Sequence, residues 1–420
     1  MTPDWHAISQ TLAAFCFGYP FVMAWYWMSG GLLFRLLRER HEPLPDAPPV
    51  LQEYPLVSIL LPCFNEEDQA AETFAALAAL EYPNFEIIAV NDGSRDNTAA
   101  ILDELAKTMP QLRVVHLAQN QGKSTALNVG ALVAAGEILV GIDGDALLDP
   151  HALTWFVRRF QSDPTLGALT GNPRIRNRGT ILGRLQVGEF SSIVGLIKRA
   201  QSTYGSIFTV SGVICAFRKR ALQDAGWWSA AALTDDVDVT WRIQLAGWKA
   251  IFEPKAICWI LMPETLIGLW RQRLRWAEGG VQSVIAATPV MFRQKRWRLL
   301  PIWGNFLISL VWAYSMCAGL LLWLISAAFP EITGGPLGFG LMPAWWGTVL
   351  TLTYILQSCI SVGVDSRFEK GLASSIFWII WYPIVFWILQ TMTAAASLPR
   401  ALLRPRHAKG TWVSPDRGIR

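Results

Sequence analysis

The chain has 420 residues, enough for two or three domains, and 52% of them are hydrophobic whereas only 16% are charged. Together with 21 Trp, this composition excludes an ordinary soluble enzyme and indicates a membrane protein. A formal net charge of +4, scattered along the chain, gives no basis for nucleic-acid binding. The six Cys show no CxxC spacing and are predicted to be reduced packing residues, not a disulfide or zinc framework.

An uncharged stretch near the N-terminus, residues 11–34, is long enough to cross a bilayer as a helix. Arginines cluster between this stretch and residue 40, so the positive-inside rule places that end in the cytoplasm and the N-terminus outside. Residues 1–10 contain no Lys or Arg, which argues against a signal peptide. We therefore expect one membrane segment over 1–40, followed by an extended Pro-rich linker over 41–55.

Residues 56–263 are predicted to form an α/β domain in the cytoplasm, because short apolar runs alternate with helical stretches and none has the length of a membrane span. The alternation favours a mainly parallel sheet with helices on both faces. The predicted strands are Leu56–Leu61, Phe85–Asn91, Arg113–Leu117, Glu137–Ile142 and Gly167–Thr170. The predicted helices are Asp68–Leu80, Arg95–Lys107, Ser124–Ala134 and Pro150–Gln161.

The remainder of the chain is predicted to lie on and in the membrane. Residues 264–297 are basic, amphipathic and rich in Trp, which is typical of interfacial helices. Residues 298–399 contain three uncharged segments of spanning length, namely 299–330, 332–364 and 371–399. One span before the domain and three after it would leave the C-terminus outside, whereas the basic tail over 400–420 favours the inside. Either the last segment, interrupted at Pro383, is a re-entrant hairpin, or the tail is exported despite its charge.

Two carboxylates follow the buried apolar run at 138–142, in the sequence Asp143-Gly144-Asp145. Open α/β sheets bind ligands at the carboxyl ends of their strands. Two carboxylates one residue apart can share a divalent cation or a cation-bound diphosphate there. A polar turn from strand to loop accounts for the same residues equally well when they are taken alone.

Polar loops also follow the first two predicted strands, at residues 61–67 and 90–94. Their acceptor side chains can read a base or a ribose. Taken alone, each loop is explained more simply as structural, the second as a turn in which Asp92 or Ser94 caps the next helix. A third loop contains Gly-Lys-Ser but is not a P-loop, since Leu117 stands where that motif requires glycine. Lys123 in this loop is predicted to hold a phosphate or, with equal weight, to be a solvated lysine.

Two further motifs lie towards the C-terminal side of the domain. Three carboxylates within residues 234–238 suit the first turn of a helix, and one of them can instead serve as a general base for an acceptor hydroxyl. On a helix, Gln272, Arg275 and Trp276 share one face, which places a diphosphate-binding guanidinium beside an aromatic stacking surface. An ordinary interfacial helix, with Arg at the headgroups and Trp as an anchor, is the alternative.

The order of these motifs, with membrane spans after them, resembles that of the processive family 2 glycosyltransferases, which include cellulose, chitin and hyaluronan synthases. Within that family, the chain is most similar to catalytic subunits of bacterial poly-β-1,6-N-acetylglucosamine synthases, from about residue 56 onwards. The stretches that carry this similarity are LPCFNEE (61–67), HLAQNQGK (116–123), IDGDALLD (142–149), TGNPRIR (170–176), FTVSGVICAFRK (208–219), WILMPETLIGLWRQRLRWAEGG (259–280) and WVSPDRGI (412–419). The chain departs from the family in having Asp235 in place of the Glu of Thr-Glu-Asp, and one N-terminal span in place of two.

This resemblance implies a GT-A type fold fused to a helical transmembrane region in the bacterial inner membrane, with the catalytic domain in the cytoplasm. It implies an inverting enzyme that polymerises N-acetylglucosamine from UDP-N-acetylglucosamine into a β-1,6-linked biofilm exopolysaccharide and aids its export. The expected cofactor is Mg²⁺ or Mn²⁺. The expected partners are the growing polysaccharide acceptor, the lipid bilayer, a small membrane subunit and the regulator cyclic di-GMP, with no nucleic acid.

The resemblance also implies roles for residues at matching positions. On the donor side, Phe64, Glu66 and Asp92 would hold the uracil and ribose, and Lys123 would meet the diphosphate. Asp143 would support the nucleotide.

The remaining matched positions concern the metal ion and the acceptor. Asp145 would ligate the metal ion, and Asp236 would act as the general base. Gln272 and Arg275 would hold the departing diphosphate, and Trp276 would stack on the terminal sugar.

Three other functions are compatible with the motifs. The first is another β-polysaccharide synthase, like those for chitin, hyaluronan or cellulose. A polyprenyl-phosphate glycosyltransferase would share the nucleotide motifs but add a single sugar to a lipid, so product length would separate it from a synthase. A non-catalytic nucleotide-binding scaffold or translocator is the third, and dependence of product formation on Asp145 and a divalent cation would exclude it.

Overall fold

The centre of the molecule is an eight-stranded mixed sheet between residues 57 and 260. The computed structural model describes residues 4–335, 337, 345–379 and 381–405. The strands are β1 (Val57–Cys63), β2 (Phe85–Asn91), β3 (Leu112–His116), β4 (Ile138–Ile142), β5 (Leu147–Leu148), β6 (Leu166–Ile175), β7 (Ile214–Arg218) and β8 (Lys249–Ile260). Their spatial order is β3-β2-β1-β4-β7-β6-β8-β5.

The pairing of the strands sets the position of the loops. β3, β2, β1 and β4 are parallel to one another, so the loops after β1, β2 and β4 lie at one edge of the sheet. β7 runs antiparallel to β4 with Ile214 opposite Ile142, which brings the loop before β7 to the same edge. Antiparallel pairs also join β7 to β6 and β5 to β8, so the predicted mainly parallel sheet is in fact mixed.

Helices cover both faces of the sheet, as predicted. Alternate residues of β1 point to opposite faces, so Ile59 packs in one hydrophobic cluster and Leu60 in the other. The α-helices of the domain are α2 (Ala70–Ala78), α3 (Thr98–Thr108), α4 (Lys123–Val133), α5 (Ala152–Ser162), α6 (Ile181–Phe190), α7 (Lys198–Tyr204), α8 (Lys219–Ala225) and α9 (Asp235–Leu245). A π-helical segment, Ser191–Ile197, joins α6 to α7.

The predicted strand Phe85–Asn91 is found with those bounds, and the other four predicted strands overlap β1, β3, β4 and β6. β7 and β8 were not predicted. In β8 the apolar pattern is interrupted by Glu253 and Lys255, which are buried because Arg159 and Glu42 pair with them. The sequence pattern of β8 resembles a loop because the residues that neutralise these two charges lie far away in the chain.

The helices outside the domain are α1 (Trp5–Phe34), α10 (Leu266–Arg293), α11 (Leu300–Ala328), α12 (Pro330–Thr333), α13 (Trp345–Asp365), α14 (Ile376–Ile379) and α15 (Tyr382–Leu403). Three stretches of helix are long and apolar enough to cross a membrane, and they contain α1, α11 and α13. They correspond to the predicted spans at 11–34, 299–330 and 332–364. All six Cys lie in the described part of the chain as free thiols, as predicted.

The fourth predicted span, 371–399, is divided in the structure. A 3-10 turn and α14 precede α15, and within the described residues this segment contains no further candidate span. The end of α15 returns to α10, where Arg400 Nε lies 3.2 Å and Arg404 Nη1 3.5 Å from the Glu278 carboxylate. The rest of the basic tail, with the stretch WVSPDRGI, lies outside the described residues.

Buried ion pairs fasten two of the membrane helices to the domain. Arg199 of α7 has no exposed side-chain surface and pairs with Glu39, in the π-helical turn after α1, and with Asp365 at the end of α13, each at 2.8 Å. Arg174 of β6 also pairs with Asp365, at 2.9 Å. Breaking a buried pair leaves an uncompensated charge, so these contacts hold both helix ends against the domain.

Candidate active site

The loops after β1 and β2 are bonded to each other at the sheet edge. Asn65 N donates to Ser94 Oγ at 3.0 Å, and Asn65 Oδ1 accepts from Arg95 N at 2.9 Å. Asn65 has a positive φ of 55°, a conformation that Asn tolerates better than most side chains. These bonds join the two loops, and the half-buried Phe64 directly precedes Asn65 in the first of them.

Asp92 shapes the loop before α4. Its side chain is fully buried, and its two carboxylate oxygens accept N–H bonds from Gln121 at 2.7 Å and Gly122 at 2.8 Å. Gly93 has a φ of 65°, and a Cβ there would lie 2.5 Å from the carbonyl carbon of Gln119. Burial raises the pKa of Asp92 although both N–H groups oppose the shift. Direct contact of Asp92 with a nucleotide stays a prediction, whereas its support of this loop is observed.

The Asp143-Gly144-Asp145 turn packs directly on Glu66. A Cβ on Gly144 would lie 3.0 Å from the Glu66 carboxyl carbon, and the carbonyl oxygen of Gly144 accepts from Thr73 Oγ1 at 2.8 Å. Glu66 is 1% exposed and Asp145 is 8% exposed. The loops after β1 and β4, which are far apart in sequence, therefore form one surface.

Lys123 links this surface to the start of α9. Its Nζ lies 2.5 Å from Asp143 Oδ1, 3.8 Å from Asp235 Oδ2 and 3.3 Å from the carbonyl oxygen of Gly212. Burial alone would lower the pKa of Lys123, but the Asp143 and Asp235 carboxylates outweigh burial and raise it. The interpretation of Lys123 as a solvated loop lysine is therefore wrong, since the side chain is the centre of a charged cluster.

Asp236 lies in the first turn of α9 beside this cluster. Its Oδ1 accepts from Val237 N at 2.9 Å and its Oδ2 from Gly212 N at 3.3 Å. Burial and the neighbouring Asp235 raise the pKa of Asp236, while the cations Lys123 and Arg275 oppose the shift. A half-buried carboxylate with a raised pKa beside cations is suited to act as a general base.

The helix α10 carries Gln272, Arg275 and Trp276 to the same region. Arg275 is exposed yet close enough to Asp236 to lower its pKa, and Trp276 is 38% exposed. Gln272 Oε1 accepts from Arg273 at 3.3 Å. The structure thus brings the predicted Gln-x-x-Arg-Trp face to the side of the site that holds Asp236.

Arg273 and Glu189 are supporting residues that the sequence analysis missed. Arg273 is 5% exposed, pairs with Glu189 of α6 at 2.6 Å and lies 4.3 Å over the Trp276 ring. Arg273 therefore faces the protein and not the lipid headgroups, unlike the arginines of the interfacial-helix alternative. The sequence held one signal for this pair, namely Glu189 as the single acid in the largely apolar stretch of α6. A buried acid requires a cationic partner.

The donor atoms at the end of β4 fit a divalent cation. Mg²⁺ binds through one or two carboxylates, with waters and substrate phosphates completing its shell. Within the described residues, no group of three or more His, Cys, Asp and Glu is placed to hold a metal ion. Asp145 and the neighbouring Asp143 offer carboxylate oxygens for a cation whose remaining ligands a nucleotide diphosphate would supply. Asp143 is already paired with Lys123.

Gly279 allows α10 to approach the start of α9. A Cβ on Gly279 would occupy the space of the Thr234 side chain, which is 2% exposed. We expect Gly279→Ala to push α10 away from Asp236, to cost about 1–3 kcal/mol of stability and to lower activity more than the lost stability explains. Gly304→Ala in α11 is the matched control, because a Cβ there meets nothing within 4 Å. Thermal unfolding and initial rates of both variants check this prediction, and equal rates would contradict it.

The sheet, the clustered carboxylates at its edge and the attached membrane helices define a GT-A type glycosyltransferase fused to a membrane region. The family model described as glycosyltransferase like family 2 matches residues 55–279, and the chain belongs to this family. The fold is similar to that of a mannosyltransferase from Pyrobaculum calidifontis, solved in complex with GDP-Man and Mn²⁺. That likeness has a TM-score of 0.65 and 21% sequence identity, covering 95% of this chain and 99% of the other.

More specific relatives are named poly-β-1,6-N-acetyl-D-glucosamine synthases. The chain is 36% identical over 405 residues to one from Staphylococcus epidermidis, which covers 95% of this chain and 97% of that protein. It is 37% identical over 401 residues to one from Staphylococcus aureus strain MSSA476, with the same coverage of both proteins. The predicted family membership, enzyme class and resemblance to this group are confirmed.

Proposed function

We propose that this protein is an inverting, processive polysaccharide synthase that transfers N-acetylglucosamine from UDP-N-acetylglucosamine to a growing β-1,6-linked chain. The observation that carries the proposal is the placement of Asp236 at the sheet edge, between the Lys123–Asp143 pair and Arg275. In this proposal, Asp236 is the proton acceptor, the sheet edge binds the nucleotide, and the exposed ring of Trp276 contacts the acceptor. The similarity to the staphylococcal synthases over 95% of the chain supports the choice of sugar.

The donor would bind along the carboxyl ends of β1, β2 and β4. Phe64 and Glu66 would contact the uracil and ribose, and the loop that Asp92 holds would close over them. Asp145, with Asp143 beside it, would hold Mg²⁺ or Mn²⁺ against the diphosphate. A bound cation there supplies neutralisation of the charge that develops on departing UDP. Lys123 and Arg275 add fixed positive charge on the same side of the donor.

The transfer is a single displacement. Asp236 takes the proton of the acceptor hydroxyl while the hydroxyl oxygen forms a bond to the anomeric carbon. The bond from that carbon to the UDP oxygen breaks, and UDP leaves with the electron pair. Attack from the opposite face converts an α-linked donor into a β-linked product.

The acceptor side of the site is formed by α10. Trp276 exposes part of its ring and is held by Arg273, so it can stack on the terminal sugar. Gln272 and Arg275 share that helical face and would hold the departing diphosphate. The adjoining membrane helices give the polar product a route away from the site, since it cannot cross lipid unaided.

The charge of Lys123 should be visible in the pH dependence of the reaction. Lys123 lowers the pKa of Asp236, so Lys123→Met should raise that pKa further. A base works only when ionised, so activity falls as pH drops through its pKa, and the acid limb of the kcat profile should move to higher pH. Lys107→Met is the control, because this lysine is exposed and pairs with Glu104 on the surface of α3, away from the site. An acid limb that stays in place, or moves to lower pH, would contradict this role.

We further infer that segment 366–405 enters and leaves the membrane from the domain side, which favours the re-entrant alternative. Asp365, just before the segment, contacts the domain through Arg174 and Arg199, and its last arginines contact Glu278 of α10. The proposed order is an N-terminus outside, three crossings and a C-terminus in the cytoplasm of the bacterial inner membrane.

Cysteine labelling tests this topology. In a Cys359→Ser background, Glu331→Cys should react with an impermeant maleimide on intact cells. Lys370→Cys and Leu403→Cys should react only after permeabilisation. All three positions are exposed. Labelling of Leu403→Cys on intact cells would contradict a cytoplasmic C-terminus.

Product length tests the function itself. Membranes carrying the full-length chain are incubated with radiolabelled UDP-N-acetylglucosamine, and in parallel with UDP-glucose and UDP-glucuronate. We expect a high-molecular-weight polymer from the first donor alone. A single labelled sugar extracted with lipid would instead favour a polyprenyl-phosphate glycosyltransferase. Copurification and cyclic di-GMP titration in the same membranes test the expected small subunit and regulator.

A further inference from the structure

A buried lysine lies behind the loop that precedes β7. Lys198, the first residue of α7, is 5% exposed. Its Nζ donates to Ser211 Oγ at 2.7 Å and to Thr170 Oγ1 at 3.1 Å. Thr170 Oγ1 also accepts the backbone N–H of Ser211 at 2.9 Å. Both the side chain and the backbone of Ser211 are therefore fixed from behind.

The residue after Ser211 faces the site. Gly212 donates its N–H to Asp236 Oδ2 at 3.3 Å and accepts from Lys123 Nζ at 3.3 Å. The other side-chain oxygen of Asp236, Oδ1, accepts from the N–H of the adjacent Val237. The hydrogen bond from Gly212 N to Asp236 Oδ2 is long, so its geometry depends on the position of the loop that carries Gly212.

A second set of bonds holds the same loop from the side of α9. Thr240 Oγ1 donates to the main-chain oxygen of Asp236 at 2.6 Å and accepts from Val210 N at 2.9 Å. The loop over 210–212 is thus clamped between α9 on one side and Lys198 with Thr170 on the other. Removing one side of the clamp frees the loop to shift against Asp236.

We propose that Lys198 is a positioning residue for glycosyl transfer, holding the Gly212 N–H against the Asp236 carboxylate through Ser211. The orientation of this carboxylate decides whether it reaches the acceptor hydroxyl. Displacement of a reacting group by about 1 Å can cost on the order of 10²-fold in rate. The inference rests on the proposed role of Asp236 as the base.

The charge of Lys198 is consistent with this role. Burial lowers its pKa to about 8, and the negative charge of Asp236 opposes that shift. The ammonium therefore lies within electrostatic reach of the base as well as behind its loop. Burying a charged group without partners is costly, and here the ammonium donates to two hydroxyls of the loop and its neighbour strand.

Lys255 provides a matched control. It is also a buried lysine, 1% exposed, and burial lowers its pKa to about 8. It pairs with Glu42 and lies 4.3 Å over the Trp155 ring, and neither partner takes part in the bonds that hold the loop over 210–212. Its loss should lower stability without altering the position of Asp236.

The test compares Lys198→Met, Ser211→Ala, the double variant and Lys255→Met in membranes carrying the full-length chain. The readouts are kcat and donor KM for polymer synthesis, the Kd of UDP, and the Tm. We expect Lys198→Met to lower kcat by about 10- to 100-fold while KM and the Kd of UDP stay near wild type. Ser211→Ala should act in the same direction, and the double variant should be no worse than Lys198→Met, because both remove one interaction.

Two outcomes would overturn the inference. One is a kcat of Lys198→Met equal to that of wild type. The other is a loss of activity that follows Tm and UDP binding, as expected for Lys255→Met. Asp236→Asn in the same series separates failure of the base assignment from failure of the role of Lys198. If Asp236→Asn makes polymer at the wild-type rate, the base assignment fails. If Asp236→Asn is inactive but Lys198→Met has the wild-type kcat, only the role of Lys198 fails.

Discussion

Replacing Asp236 by Asn should leave UDP binding intact and lower polymer synthesis by about 10²- to 10⁴-fold, the usual contribution of a general base. The amide has nearly the same shape, and its oxygen can still accept from the N–H of Gly212 or Val237. It cannot take the proton of the acceptor hydroxyl. Initial rates of polymer formation and the Kd of UDP, measured on the same membranes, check both parts of the prediction.

Asp238→Asn is the control for this experiment. Asp238 lies two residues along the same helix, but its carboxylate is paired with Arg242 at 2.6 Å and takes no part in the cluster around Lys123. It should retain the wild-type rate apart from a small loss of stability. Polymer formation by Asp236→Asn at the wild-type rate would remove Asp236 from the reaction.

Asp145→Asn should abolish the response to divalent cations and lower synthesis by about 10²-fold or more. A metal ion stabilises the charge that develops on the leaving group in the transition state, by several kcal/mol. The turn itself should survive, since it is held by the Gly144 carbonyl and by packing on Glu66. Binding of Mn²⁺ in the presence of UDP, followed by electron paramagnetic resonance, gives a readout that is independent of the rate.

Asp224→Asn serves as the control for charge alone. Asp224 is an acid on α8 whose partners are Arg220 and Trp248, away from the sheet edge. It should bind Mn²⁺ and UDP as the wild type does. An Asp145→Asn variant that keeps full Mn²⁺ binding and full stimulation would assign the metal to other residues.

The sequence was sufficient to predict the sheet edge because neighbouring parallel strands end together. Local apolar patterns were enough to predict the strand before Asp143 and the bounds of the strand Phe85–Asn91. Their carboxyl ends then had to meet, which placed the acidic and polar loops side by side. Three of the four predicted membrane spans were equally predictable, since length and hydropathy are local properties, whereas the segment over 371–399 is divided in the structure.

Features that depend on distant partners could not be predicted in the same way. Lys198 and Lys255 are buried because of Ser211 and Glu42, which no local pattern connects to them. The role of Arg273 was not predicted because its partner Glu189 is 84 residues away. The proposal for where the last membrane segment ends likewise rests on ion pairs between distant segments, which charge counting alone does not reveal.

The linkage and anomeric configuration of the product test the account most directly. Polymer made by the full-length chain from ¹³C-labelled UDP-N-acetylglucosamine is analysed by nuclear magnetic resonance. The account predicts a chain of N-acetylglucosamine in which each anomeric carbon is β-linked to O6 of the next sugar. Residues with an α configuration would contradict the single displacement at Asp236, and a product of one sugar would contradict processive synthesis.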